Sequence, residues 1–480
     1  MQFRTTATFV IILLTLFSTS VLAQEGYEHL APVAHGAGRT YVVNNSGLSA
    51  VGLNPSLITP DDNSLWTISV FPISSFGIDA GSSLSNASSL SDIFKPGSGN
   101  ISIAKRQQIA DLLSGEKMSG RGDAEILGIE HVIPSVGTLA FTWTTHAGLR
   151  TVISDDFLNF LKSYESRITQ YNGSYSDFDF QGMWYSEYSL TFAKKIISST
   201  GDEPFFRSLS VGGALKYVSG TGYIGLDQGN YFSSKYGNGS ATVDVNYTLR
   251  SAYTSDFDPK NIPTSFNFGF ITSNQAGSGF GVDIGASAEL FGTSGQGSTL
   301  RVGFSITDIG SISWSKNATE RVADHVHDTV VYLNAGNSDY TTALEKKFSG
   351  KLNDVSSFTT SLPTMLRLGV ALNLDKAGLT IPGFVSKAAI EFDDGLTSVV
   401  GSLNHPRIGL GLALEQSNSV ASLRLEGGFF IEQGQSDLTL GAGTTIANFI
   451  SIDLSSAHIT KLFSSGSKQT DVALGIRLLL

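Results

Sequence analysis

"TLAFTWTT", residues 138–145, places Leu139, Phe141 and Trp143 on one side of an extended chain and Thr138, Ala140, Thr142 and Thr144 on the other. Period-two alternation of this kind marks a strand with two different faces. "ATVDVNYTLR" follows the same rule, with Ala241, Val243, Val245, Tyr247 and Leu249 against Thr242, Asp244, Asn246, Thr248 and Arg250. So does "VDIGASAEL", with Val282, Ile284, Ala286, Ala288 and Leu290 against Asp283, Gly285, Ser287 and Glu289.

Further alternating segments start near Leu65, Tyr188, Leu209, Phe266, Leu300, Leu366, Ile408, Leu423, Leu438, Ile450 and Val472. Each runs for about 8 to 12 residues, the length a tilted membrane-crossing strand needs, whereas soluble strands average about 5 to 6. The exposed face of a soluble sheet also carries more Lys and Glu than these polar faces do. They hold small residues and scattered charges of both signs, namely Lys216, Arg250, Asp283, Glu289, Arg301, Arg367, Arg424, Glu426, Asp453 and Arg477. These charges are expected to line the lumen of an all-β transmembrane barrel.

Connection lengths alternate as well. Short links at Pro134–Ser135, at Ser417–Asn418 and around Asp256 to Pro263 interleave with long ones near residues 85 to 120, 150 to 183, 220 to 239 and 317 to 361. Short periplasmic turns against long external loops is the outer-membrane arrangement. Alternation alone counts about 16 strands, give or take about two. Helical patterns fall in three long loops, at Ile101 to Leu113, Asp155 to Tyr164 and Tyr340 to Phe348, the last stopped by Gly350.

Of 480 residues only 15% are charged, 52 are Gly, 30 are Phe and none is Cys. Low charge with abundant Gly, Ser, Thr and Phe suits strands whose outer face meets lipid. The lack of Cys excludes a disulfide framework and thiol chemistry. The chain opens with Arg4, an apolar run from Phe9 to Phe17, and Val21-Leu22-Ala23 before Gln24. That pattern reads as a secretory signal peptide over residues 1–23, too short in its apolar run for a spanning helix of about 20 residues. Export without cysteine points to a bacterial envelope. The net charge of −11 becomes −12 when Arg4 leaves, which counts against nucleic acid as a partner. No linker or charge block divides the rest, so residues 64–480 are expected to form one outer-membrane barrel.

Residues 24–63 lack the long alternation and are rich in Gly, Asn and Ala, which reads as a compact element inside or beneath the barrel. Within them "NNSGLSAVGLNPSLI", residues 44–58, resembles the small-residue and Asn-Pro signature near the mature N-terminus of the fatty-acid and hydrocarbon transporter (FadL-like) superfamily of outer-membrane barrels. "GFGVDIGASAEL" (279–290), "LRVGFSITDIGSISW" (300–314) and the closing "TDVALGIRLLL" are similar to strands of an uncharacterised bacterial barrel family related to those transporters. The resemblance implies about 14 strands. It also implies that residues 24–63 form a hatch in the lumen, with Asn54-Pro55 as its sharp turn and Gly47 and Gly52 allowing close packing. Outer-membrane lipid, a small hydrophobic ligand and the barrel-assembly machinery would be the partners. The chain departs from the pattern at Ser56, where Ala commonly follows Asn-Pro, and at Leu480, where many barrels end on an aromatic residue.

"ADHVHDT" brings His325 and His327 onto one face of an extended chain beside Asp324 and Asp328. A surface metal site and a plain polar loop both fit, and no third ligand is fixed by spacing. Arg121-Gly122-Asp123 has the form of an adhesion tripeptide, and the plainer reading is a basic-Gly-acidic turn. No Gly-x-Ser-x-Gly elbow, His-Glu-x-x-His or phosphate loop is present, so an enzyme or a cofactor is not expected.

Three function classes remain: inward passage of a small hydrophobic molecule, a scaffold for a secretion, attachment or display component, and a plugged structural barrel. An elongated apolar pocket at the hatch favours passage. A lumen filled by polar side chains favours a scaffold.

Overall fold

The protein is described here by a computed structural model covering residues 30–58, 64–81, 118–152, 170–175, 179–199, 205–227, 231–237, 240–254, 275–293, 297–331, 350–417, 421–432, 435–462 and 469–480. In chain order its strands are β1 (Trp66–Val70), β2 (Phe76–Gly81), β3 (Met118–Ile133), β4 (Gly137–Val152), β5 (Gln170–Tyr175), β6 (Asp179–Ser198), β7 (Phe206–Leu226), β8 (Tyr231–Gly237), β9 (Ser240–Tyr253) and β10 (Gly277–Thr293). They continue as β11 (Gly297–Trp314), β12 (Thr319–Val331), β13 (Lys351–Asp354), β14 (Phe358–Ser361), β15 (Met365–Asn373), β16 (Val385–Gly395), β17 (Arg407–Ser417), β18 (Ala421–Glu432), β19 (Gln435–Ile446), β20 (Ile450–Ser456) and β21 (Gln469–Leu479).

Antiparallel pairing runs from β3 through β4, β6, β7, β10 and β11 to β15, then through β16, β17, β18, β19 and β20 to β21. β1 and β2 form one interrupted strand that pairs with β3 on one side and β21 on the other, which closes the ring. β14 likewise extends β15 along β11. The result is a closed antiparallel barrel of fourteen wall strands. In lipid only closure lets every backbone group of a sheet find a partner, because an open edge would face hydrocarbon.

The alternation of the opening stretch becomes inside and outside. On β4, Leu139 and Phe141 are 38% and 37% exposed, whereas Thr138, Ala140, Thr142 and Thr144 are buried in the lumen. Aromatic side chains form two bands on part of the outer face, as expected at the two membrane interfaces. One runs through Trp143, Tyr188, Tyr217 and Phe280 in successive ring contacts of 5.5, 6.1 and 5.6 Å. The other includes Phe205 against Phe291, edge to face at 5.0 Å, and Trp66 stacked on His131. On β10 the two bands are eleven residues apart, Phe280 to Phe291, which matches a tilted crossing. Connections of a few residues, such as 134–136 and 447–449, fall at one end together with Leu65 and Leu480.

The sixteen-strand count is corrected by the pairing. β7 meets β10 along its whole membrane length, which leaves no wall edge for β9. β9 pairs instead with Gly222–Leu226 at the outer end of β7, with β12 and with β8. Together with β5 on β8 and β13 on β12 it forms a sheet beyond the wall. "ATVDVNYTLR" therefore alternates without crossing the membrane. The stretch from Asp256 to Pro263, the alternating segment at Phe266 and the three helical patterns lie outside the described residues.

Ile284 lies midway between the bands on the lipid face and is 44% exposed. Ile284→Arg should lower unfolding stability in lipid vesicles by about 2–4 kcal/mol. Leu379→Arg, in the turn after β15, should change it by less than about 1 kcal/mol. Equal costs, read by denaturant titration, would contradict the facing assigned here.

Candidate functional site

Residues 30–58 pack inside the ring, because they touch strands on all its sides. The short helix Pro32–Gly36 contacts β18, β19, β20 and β21, and Tyr41–Asn44 contacts β11, β15 and β16. The turn Gly47–Ala50 contacts β3, and Pro55–Leu57 contacts β6, β7 and β10. Elements of three to five residues cannot hold themselves together, so the wall supplies their structure.

Glycines on the inner wall make that fit. A Cβ at Gly441 would come within 3.2 Å of Gly36, and one at Gly428 within 2.6 Å of the Gly38 backbone nitrogen. One at Gly303 would lie 2.4 Å from the Val42 carbonyl, and one at Gly212 2.4 Å from Pro55. Asn54, Pro55, Gly47 and Gly52 form the turn region named from the sequence. Asn54 Oδ1 accepts hydrogen bonds from the Ser56 amide at 3.1 Å and the Ser56 hydroxyl at 2.8 Å, capping the turn that Pro55 begins. Its Nδ2 donates to the Val42 carbonyl at 2.9 Å, tying the two halves of the segment together. Gly47 and Gly52 adopt φ of 62° and 74°, a region that side chains disfavour.

Many of the buried charges inside the barrel are paired. Arg39 and His35 both meet Asp471 Oδ2 at 3.1 Å with all three side chains fully buried. Arg39 also stacks over Phe430. Lys216 reaches Asp308 at 2.7 Å, Asp283 at 2.9 Å and Glu187 at 3.4 Å. Arg367 bonds Thr307 at 3.1 Å and faces Asp393, whose carboxylate also meets Arg407 at 2.7 Å. Arg477 donates to the Leu30 carbonyl at 3.0 Å and to Ser75 at 2.7 Å. Nearer the short-turn end, Arg301 meets Glu289 at 3.3 Å, Arg424 meets Asp453 at 2.5 Å, and Glu426 is buried beside Gly441.

Arg250 is the exception among the charges expected in the lumen. It stands on β9 outside the wall, where it bonds Glu320 at 3.1 Å and Asp227 at 3.0 Å. Arg121 and Asp123 are not in a turn. Two apart on β3, they point to the same inner face, paired at 2.9 Å and buried, which removes them as a surface tripeptide. His325 and His327 lie on β12 with exposed side chains, His327 against Asp244. No group of three or more ligating side chains that could hold a metal is found among the described residues.

Sequence reasoning missed Arg39, His35, Asp471, Glu187, Asp308, Asp393 and Arg407. Asp393 and Arg407 sit on inward positions of short wall strands. Arg39 and His35 carry no signal, since their stretch has no period.

Along the barrel axis the interior changes character. At the outer end Tyr185, Val218, Tyr223, Ile312, Trp314 and Phe358 pack into an apolar layer. Below it come the Lys216 cluster and the segment. At the short-turn end a cavity of about 900 Å³ opens between the segment and charged wall residues.

A closed fourteen-strand wall with an apolar outer band and a chain segment in its lumen defines a transmembrane β-barrel of the outer-membrane type. The chain belongs to the family of unknown function DUF5723, which matches residues 56–465. No curated protein matches it in sequence. Among solved structures, the toluene transporter TbuX of Ralstonia pickettii is 12% identical, with 95% of this chain and 98% of that one covered at a TM-score of 0.35. The Pseudomonas putida toluene transporter TodX is 10% identical over 95% and 97% at 0.36, and the CymD monoaromatic hydrocarbon channel 9% identical over 94% and 96% at 0.38. Nothing about this chain's cargo follows from likenesses of that degree.

Asp471 receives both His35 and Arg39 and is fully buried. Asp471→Asn should lower unfolding stability by about 3–5 kcal/mol, the cost of leaving a buried charge without its counter-ion. Asp354→Asn, on exposed β13, should stay within about 0.5 kcal/mol of the parent. A small effect at Asp471 in denaturant titration would mean that the segment is not anchored by this pair.

Proposed function

We propose that the protein admits a small hydrophobic molecule across the outer membrane, with residues 24–63 acting as a hatch that closes the lumen at rest. One observation carries the reading. Outward of the segment, the part of the inner wall around β6, β7 and β11 turns from ion pairs to the buried side chains of Met183, Tyr185, Val218, Ile312, Trp314 and Leu362, while β3 and β4 keep the buried Arg121, Asp123 and His146 group at the same level. An interior that faces only water is polar. An apolar inner layer at the external mouth suits a hydrophobic entrant.

Passage needs movement, because the middle of the lumen is filled. The two halves of the segment differ in how they are held. Residues 32–44 carry the Arg39 and His35 ion pairs and the Val42 amide bond to Glu391 at 2.7 Å. Residues 47–58 carry no ion pair of their own and rest on glycine contacts, on the apolar packing of Leu48, Val51, Leu57 and Ile58 with Ala140 and Ala193, and on the Ser305 hydroxyl bond to the Leu53 carbonyl at 2.6 Å. The second half is therefore the part expected to shift. The filled polar middle supports a second reading, a permanently closed scaffold that presents the sheet of β5, β8, β9, β12 and β13 to a secretion, attachment or display component.

A cysteine pair separates the two readings, and the native chain holds no cysteine to interfere. A Cβ at Gly285 would lie 2.3 Å from Asn54 Oδ1, so Asn54→Cys with Gly285→Cys can form a disulfide. Oxidation should reduce entry of the hydrophobic dye N-phenylnaphthylamine to that of cells lacking the protein, and a reductant should restore it. Equal dye entry in both states would overturn the uptake reading in favour of the scaffold.

A further inference from the structure

We infer that the cavity at the short-turn end is a binding site for a small, multiply charged anion. Lys195 of β6, Arg207 of β7, Arg301 of β11, Lys376 of the following turn and Lys387 of β16 all line one space of about 900 Å³. Only Arg301 has an ion-pair partner there, Glu289 at 3.3 Å. Among the described residues, Lys195, Arg207, Lys376 and Lys387 make no direct ion pair, and the single carboxylate of Glu289, already held by Arg301, acts on Lys195 and Lys376 only from further away. That is unexpected in a chain with 42 acidic and 31 basic residues, where a random cation has carboxylates to spare.

The cations also act on one another. Partial burial holds the Lys376 ammonium below the ordinary lysine range, and the nearby charges of Lys387 and Arg207 push it further the same way. These four cations, two on β6 and β7 and two at β15 and β16, flank the Arg301–Glu289 pair of β10 and β11 and form a concave positive field that an anion relieves. The adjoining part of the cavity, from β17 to β20, carries Glu415, Glu426 and Asp453 around Arg424, which keeps an anion on the basic side. The volume is within the range of small-molecule sites. Ammonium point charges flanking one guanidinium fork suit a compact phosphate or phosphate ester.

This site lies on the short-turn side of the segment and requires nothing to cross the barrel. Its test is therefore separate from dye entry. The detergent-solubilised full chain is titrated calorimetrically with sodium pyrophosphate at low ionic strength. Saturable one-site binding is expected, weakened at least about tenfold by Arg207→Gln with Lys387→Gln and unchanged by Lys351→Gln on exposed β13. Lys376→Gln, a turn position that wall folding does not depend on, should weaken it by about threefold or more. Absence of saturable binding, full affinity in both the double variant and Lys376→Gln, or an equal loss in Lys351→Gln would overturn the assignment.

Discussion

A wall of fourteen strands encloses more space than its own inward side chains fill, since an eight-stranded barrel packs solid and sixteen strands leave a channel. What the interior does depends on how that space is closed. Here residues 30–58 lie in that space with their backbone directly on the backbone of the wall. Gly36 against Gly441, Gly38 against Gly428 and Pro55 against Gly212 leave no room for a methyl group. The high glycine content of the strands, which would weaken an ordinary sheet, is in these places the surface that receives the segment.

The second consequence of closure is electrostatic. Charges on inward positions would be solvated in a water-filled barrel, but inside this one they are removed from solvent and must find partners. Lys216 gathers three carboxylates, Asp393 is set between Arg367 and Arg407, and Asp471 receives both Arg39 and His35. Cations that stay unpaired are found where the lumen opens again, on the basic side of the short-turn cavity. A mouth apolar on one side, a middle with paired charges and a vestibule with a basic side thus follow one another along a single axis.

Most of the wall was legible in the sequence because a strand between lipid and lumen must alternate, and Thr138 to Thr144 obey that rule residue by residue. The same rule misled at Ala241 to Arg250. Alternation reports two unlike faces and is silent on whether lipid is one of them. Nine of the ten charges chosen from the polar faces stand on wall strands, while Arg250 left with β9. The ion pairs themselves were not legible. Lys216 and Asp308 are 92 positions apart, and Arg39 and Asp471 are 432, so only the register of a closed barrel brings them together.

The central claim is that the N-terminal segment closes an otherwise open barrel. Single-channel recording in planar bilayers tests it most directly, comparing the full chain with a form lacking Gln24 to Asn63 behind an intact signal peptide. The account predicts background current for the full chain and steady ion conduction for the shortened one, both inserted and both migrating differently before and after boiling. A shortened barrel that inserts normally and conducts no more than the full chain would contradict it.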